Sequence, residues 1–339
     1  MTSFHRYLAE EVAVDHAAGL IPRHEALHRL NLLGLAAPAA DALLAAWGTG
    51  GQNTAAPATT TSGTENRSTP ITTASGRGDA ATQAAAGTGG GSGTATASAA
   101  SPGGASPAGP SPLPTEEIIF PGTESGVTLR GAWAAPAAPR GAVLVIHENR
   151  GLTDHIRSVA GRLAADGYCA LAVDLLSREG GTASFEDPAG ATAALGAISP
   201  ERLALDMKAA LGELERGAPG KGLGVVGFCF GGAMTWLLLS SDEPRLSAAV
   251  PFYGPLPGDA DLSGSRAAVL AIYAERDGRV NATRDEARTA LERAGLEHEI
   301  VTFPGVDHAF FNDTGPRYDA GAAAEAYRRA LDWFGRHLA

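Results

Sequence analysis

The chain holds only two cysteines, and one of them, Cys229, stands in the run Gly227-Phe-Cys-Phe-Gly-Gly232. A Gly-x-Cys-x-Gly run after a buried strand describes a sharp strand-to-helix turn that projects its central side chain. Glycines two residues to either side let strand and helix pass closely. The sulfur then sits at a helix N-terminus, whose positive end favours thiolate. The backbone N–H of Phe230 can be aimed at a developing oxyanion. The chemistry implied is nucleophilic attack by sulfur on a carbonyl. The same six residues also describe a tight glycine turn with a buried cysteine, so they need partners.

Two partners stand downstream at comparable positions. Asp277 lies in Glu275-Arg-Asp-Gly278 and His308 in Pro304-Gly-Val-Asp-His308, each just after a predicted strand. The order nucleophile, acid, histidine is the one an α/β-hydrolase fold uses. Each residue alone could be a loop ion pair or a cap. Three matches at three strand ends point to a triad of Cys229, Asp277 and His308. Asp307 is a rival for the acid, although its neighbour His308 would have to fold back onto it. Asp285 is expected on a helix surface.

Elements must bring these positions together. Strands are predicted over residues 117–120, 127–133, 142–146, 168–173, 223–228, 248–253, 269–274 and 298–303. Helices are predicted over 155–166, 201–215, 231–239, 281–294 and 319–338. The run from Ala142 to Ile146 is apolar throughout, as a strand buried on both faces must be. Strands alternating with helices predict an α/β fold, a mostly parallel sheet with helices on both faces. Its site then lies beyond the carboxyl ends of the strands. Cys169 opens a strand and is expected at the opposite end, as a small core residue not bridged to Cys229. His147 and Trp236 are expected to be structural, and the remaining histidines have no metal-ligand spacing.

The chain from Thr115 to Ala339 resembles the dienelactone hydrolase (carboxymethylenebutenolidase) family. The resemblance rests on Val143-Leu-Val-Ile-His-Glu-Asn-Arg-Gly151, Asp174-Leu-Leu-Ser-Arg178, the Cys229 run, the Asp277 loop and His308-Ala-Phe-Phe. It implies an α/β-hydrolase fold, a Cys-Asp-His triad, no cofactor and no metal. It also implies a small-molecule ester or lactone substrate, opened through a thioester acyl-enzyme. Glu148 matches a glutamate that contacts the resting thiol and helps to activate it, so Glu148 or His308 takes the thiol proton. Asn149 would supply the second oxyanion N–H beside that of Phe230. Arg178 matches one of two arginines that bind a substrate carboxylate. The other is Asn312 here, a departure that leaves the dienelactone substrate open, with Arg317 as a stand-in. Two other readings are a non-catalytic, tethered binding protein of the same fold and a thiol redox sensor. The sensor would need a resolving cysteine.

The rest of the chain divides by composition. Residues 48–114 are Ala, Gly, Ser, Thr and Pro with almost no large apolar side chains, which predicts a disordered linker. Residues 1–47 have two readings. Phe4, Leu8, Val12 and Leu20 fall near one helix face, Gly19 to Pro22 should break it, and a second helix could start at Arg23. Alternatively, Arg23-His-Glu-Ala-Leu27 followed by the apolar run from Leu30 resembles a twin-arginine export signal. Ala45-Ala-Trp-Gly48 likewise resembles the end of a lipoprotein signal. His24 replaces the second arginine and Trp47 replaces the lipid-bearing cysteine. The protein is therefore cytoplasmic or exported, and membrane contact is expected only through residues 1–47. A net charge of −11 argues against a nucleic-acid partner.

Overall fold

The computed structural model describes residues 3–48, 111–258 and 260–338. The linker expected over 48–114 falls, for residues 49–110, outside the described residues. From residue 116 onward eight strands form one sheet. They are β1 (Glu116–Pro121), β2 (Thr128–Ala134), β3 (Gly141–Ile146), β4 (Tyr168–Asp174), β5 (Leu223–Phe228), β6 (Leu246–Phe252), β7 (Ala268–Ala274) and β8 (His298–Phe303). Their order is β1-β2-β4-β3-β5-β6-β7-β8. β1 and β2 are antiparallel to their neighbours, and every pairing from β4 to β8 is parallel. Parallel neighbours need crossovers, and helices supply all of them but the β6–β7 connection. Every residue of β3, β4, β5 and β7 is buried.

The helices between strands are α4 (Asp154–Ala165), α5 (Pro188–Ala197), α6 (Pro200–Gly217), α7 (Phe230–Leu239), α8 (Gly278–Asn281) and α9 (Arg284–Ala294), and α10 (Ala320–His337) follows the last strand. The helix expected over 281–294 is two pieces. Asn281 and Thr283 spend their side chains locally: Asn281 Nδ2 donates to the Ala274 carbonyl at 2.8 Å, and Thr283 Oγ1 accepts from Leu256 N–H at 3.1 Å. Such bonds compete with continuous helix. Helix α5 has no counterpart among the expected elements. Its alanines and glycines give no apolar period, yet its start carries a helix signal. Asp187 caps it by accepting from Ala189 N–H at 2.8 Å, and Pro188 occupies the first turn.

Three further helices precede the linker region: α1 (Ser3–Ala17), α2 (Arg23–Leu32) and α3 (Ala37–Gly48). The break at Gly19 to Pro22 is present, with Gly19 at φ 71°. The apolar run from Leu30 is interrupted at Gly34, at φ 77°, and restarts with Pro38 in the first turn of α3. Among the described residues no helix is long and apolar enough to cross a membrane. These helices pack on one another and on α5, and form one compact unit with the sheet domain. Leu8, Ala13 and Leu30 are fully buried.

Candidate active site

The turn after β5 is the sharpest feature of the chain. Cys229 sits at φ 57°, ψ −114°, a region a side-chain-bearing residue enters at about 1–3 kcal/mol. The glycines explain how the turn closes. A Cβ on Gly227 would lie 2.0 Å from the Gly231 carbonyl oxygen, and one on Gly231 would lie 2.3 Å from that of Ile146. Cys229 N–H donates to the Phe252 carbonyl at 3.1 Å, tying the turn to β6. Cys229 is the N-cap residue of α7. The N–H of Phe230 is in the first turn of α7, where no intrahelical acceptor exists.

Asp277 follows β7 as the cap of α8, and its Oδ1 accepts from Val280 N–H at 3.2 Å. Its Oδ2 lies 2.5 Å from His308 Nδ1. Both side chains are buried. Burial alone would lower the His308 pKa, but the charge and hydrogen bond of Asp277 outweigh it, and His308 is raised above 6.5. The same pairing overcomes burial at Asp277 and holds its carboxyl below the usual range. Asp307 instead meets Arg276 at 3.5 Å on the surface, and Asp285 is exposed on α9.

The surroundings of the sulfur depart from the expected picture. Glu148 makes no hydrogen bond to it. The Glu148 carboxylate accepts from Asn312 Nδ2 at 2.6 Å through one oxygen, and the other oxygen is buried without a partner. Burial pushes the Glu148 pKa up. Asn312, the departure noted in the sequence, is thus what holds Glu148. The groups on Cys229 Sγ come from α1: Tyr7 Oη at 3.3 Å and Glu11 Oε1 and Oε2 at 3.3 and 3.5 Å. Glu11 Oε1 also lies 3.8 Å from His308 Nε2, which has no hydrogen-bond partner. No hydrogen bond joins sulfur and imidazole directly among the described residues. Burial first, then Glu11 and Glu148, push the Cys229 thiol well above its ordinary pKa.

Sequence reasoning missed Tyr7 and Glu11. The signal available was their i, i+4 spacing, which places a phenol and a carboxylate beside the Phe4–Leu8–Val12 stripe of α1.

A cavity of about 250 Å³ opens beside the sulfur. Cys229, His308, Glu148 and Asn149 line one side, and Glu11, Val12 and Asp15 of α1 line another. Asn149 has its carbonyl fixed by Thr192 Oγ1 of α5 at 2.9 Å. Arg317 reaches the cavity and pairs with Asp15 at 2.5 Å. Arg178, expected to bind substrate, does not line this cavity. Its guanidinium bridges Glu124 at 2.5 Å and Asp206 at 2.6 Å. Asp206 is buried on α6, and without Arg178 its carboxylate would lack its closest cation.

His147 is structural: Nδ1 lies 2.6 Å from the Glu148 carbonyl, and Nε2 accepts from Leu175 N–H at 3.2 Å. Trp236 is core and donates to the Gly254 carbonyl at 3.2 Å. Cys169 begins β4 while Cys229 follows the end of β5, so the sheet separates them by about 20 Å. Both are free thiols. Glu11, Cys229 and His308 each bring one side-chain atom within 4.8 Å of the others.

Residues 129–338 match the model of the dienelactone hydrolase family. The chain belongs to the dienelactone hydrolase family. A Salmonella typhi protein named "Putative carboxymethylenebutenolidase" is 34% identical over 253 residues, covering 68% of this chain and 93% of that one. An Escherichia coli K12 protein of the same name is 34% identical over 209 residues, 58% of this chain and 77% of its own. A crystal structure named "Putative Dienelactone Hydrolase", from Klebsiella pneumoniae, superposes with TM-score 0.58 at 29% identity, covering 66% of this chain and 99% of that one. An acylaminoacyl peptidase from Pyrococcus horikoshii, at 16% identity and TM-score 0.51 over 67% of this chain and 42% of its own, shares the fold alone. The dienelactone hydrolase family consists of hydrolases of ester and lactone bonds, and that reaction class applies to this chain. The family match begins after α1–α3, so Tyr7 and Glu11 lie outside it.

Proposed function

We propose that the protein hydrolyses small esters or lactones through Cys229, with His308 as base and Asp277 as its orienting acid, by way of a thioester. The observation that carries this is the Asp277–His308 pair at 2.5 Å opening onto the same cavity as the strained cysteine turn. Cys229 thiolate attacks the substrate carbonyl, and the oxyanion is met by the N–H groups of Phe230 and Asn149. The alkoxide leaves with a proton from His308, and the thioester remains. His308 then takes a proton from water, which attacks the thioester and releases acid and thiol. Asp277 keeps Nε2 directed at the reacting atoms. A cavity of about 250 Å³ suits a substrate near the lower bound of common ligand sites. Arg317, already paired with Asp15, is the cation expected to meet an anionic substituent.

The test is Cys229→Ala on the full chain, assayed with an activated aryl ester and a small lactone. Hydrolysis should fall to background, and the wild-type chain should show a burst of alcohol release before steady turnover. Activity that survives the substitution would remove cysteine from the mechanism.

A further inference from the structure

The family match leaves α1 unexplained, yet α1 supplies the side chains that touch the nucleophile. We infer that Tyr7 and Glu11 are catalytic residues: Glu11 accepts the proton of the Cys229 thiol, and the Tyr7 hydroxyl donates a hydrogen bond to the thiolate formed. The inference rests on Cys229 being the nucleophile.

Geometry assigns the roles. The proton needs an acceptor, and the imidazole is not hydrogen-bonded to the sulfur. Glu148 is held aside by Asn312. Glu11 Oε1 is 3.3 Å from Sγ and 3.8 Å from His308 Nε2, so it stands between thiol and base. His308 Nε2 is buried with no other partner. The S–H bond breaks, an O–H bond forms on Glu11, and the electron pair stays on sulfur. Glu11 then passes the proton to Nε2, and the imidazolium delivers it to the departing alkoxide. The proton lost by the thiol ends on the alcohol. Tyr7 Oη, 3.3 Å from Sγ, is left as a donor to the new anion.

Two observations indicate that α1 belongs to the working site and is more than a cover. The cavity reaches Cys229 and His308 with α1 in place, and Glu11, Val12 and Asp15 form part of its wall. The helix is also tied to the acid loop. Arg279, two residues after Asp277, stacks its guanidinium over the Tyr7 ring at 4.2 Å and donates to the Tyr7 carbonyl at 3.2 Å. The charged and titratable groups around the sulfur are then Tyr7, Glu11, Glu148, Tyr253, His308 and Arg279. Of these, the Tyr7 hydrogen bond and Arg279 pull the thiol down, against burial and the two carboxylates.

The experiment uses the full chain with Glu11→Gln, Glu11→Asp and Tyr7→Phe. Two quantities are read: kcat/KM for an activated aryl ester, and the rate of Cys229 alkylation by iodoacetamide against pH, followed by peptide mass. Glu11→Gln should lower kcat/KM by about 10²-fold or more, with partial recovery in Glu11→Asp. Tyr7→Phe should move the alkylation profile to higher pH, slowing alkylation about tenfold per unit of displacement. A Glu11→Gln or Tyr7→Phe chain with wild-type thermal midpoint that reacts as fast as, or faster than, wild type would overturn the inference. If Glu11→Gln fails to fold, Glu11→Asp and Tyr7→Phe decide the matter alone. Cys229→Ala separates the two claims. Activity in that variant overturns the nucleophile, whereas an inactive Cys229→Ala beside unaffected α1 variants overturns only the roles of Tyr7 and Glu11.

Discussion

At the scale of residues, the site is a set of opposed electrostatic pressures on two groups. Burial disfavours charge on both Cys229 and His308, and only His308 has a partner strong enough to reverse the effect. In the proposed mechanism deacylation needs neutral His308, so turnover should fall as the solution becomes more acid than the His308 pKa. Because that pKa is raised, the acid limb of kcat should have its midpoint above pH 6.5. Asp277→Asn should remove the charge that raises it. The expected result is a limb displaced to lower pH and a kcat loss of about 10³–10⁴, read from a pH–rate series. Cys169 responds to burial alone, which pushes its thiol up to about 12. A disulfide-exchange reagent at neutral pH should therefore titrate at most one thiol in the native chain and two after denaturation.

At the scale of elements, the glycines of the turn carry the tightest constraint. Gly227→Ala would drive a Cβ to 2.0 Å from the Gly231 carbonyl, and a backbone atom cannot rotate away. Thermal unfolding should show a loss of about 1–3 kcal/mol, as overpacking generally costs. Cys229 should also become harder to alkylate as the turn opens. This turn was legible in the sequence, and so was each of the eight strands; the buried parallel ones, β3, β4, β5 and β7, write themselves as short apolar runs. The pairing of Asp277 with His308 was legible too, because each follows a strand end. Helix α5 was not, since alanine and glycine carry no apolar period. The partners of Arg178 were not legible either. Glu124 and Asp206 lie far from it in sequence and meet it only through the fold. Tyr7 and Glu11 were hidden more deeply, because nothing local says that a helix over two hundred residues upstream will lie against Cys229.

At the scale of the whole molecule, the catalytic domain and its first three helices behave as one body. Leu8 is fully buried where α1 meets the rest. Leu8→Ala should cost about 2–5 kcal/mol of local stability and leave α1 loosely held. Hydrogen exchange should then rise across residues 3–17, with ester hydrolysis falling alongside. A chain whose exchange rises in α1 while activity stays whole would show that docking and turnover are independent.

Docking of the first helix against a turn made much later in the chain also has a consequence during synthesis. The partners of α1 in the turn after β5 leave the ribosome roughly 200 residues after it. At about 5–20 residues per second, Phe4 waits about 10–40 s for Phe230, the ring it meets edge-on. Asp277 and His308 emerge later still. The nascent chain thus passes through a stage in which α1 is only partly covered and Cys229 has neither of them beside it. In that interval a holding chaperone has an apolar surface to grip.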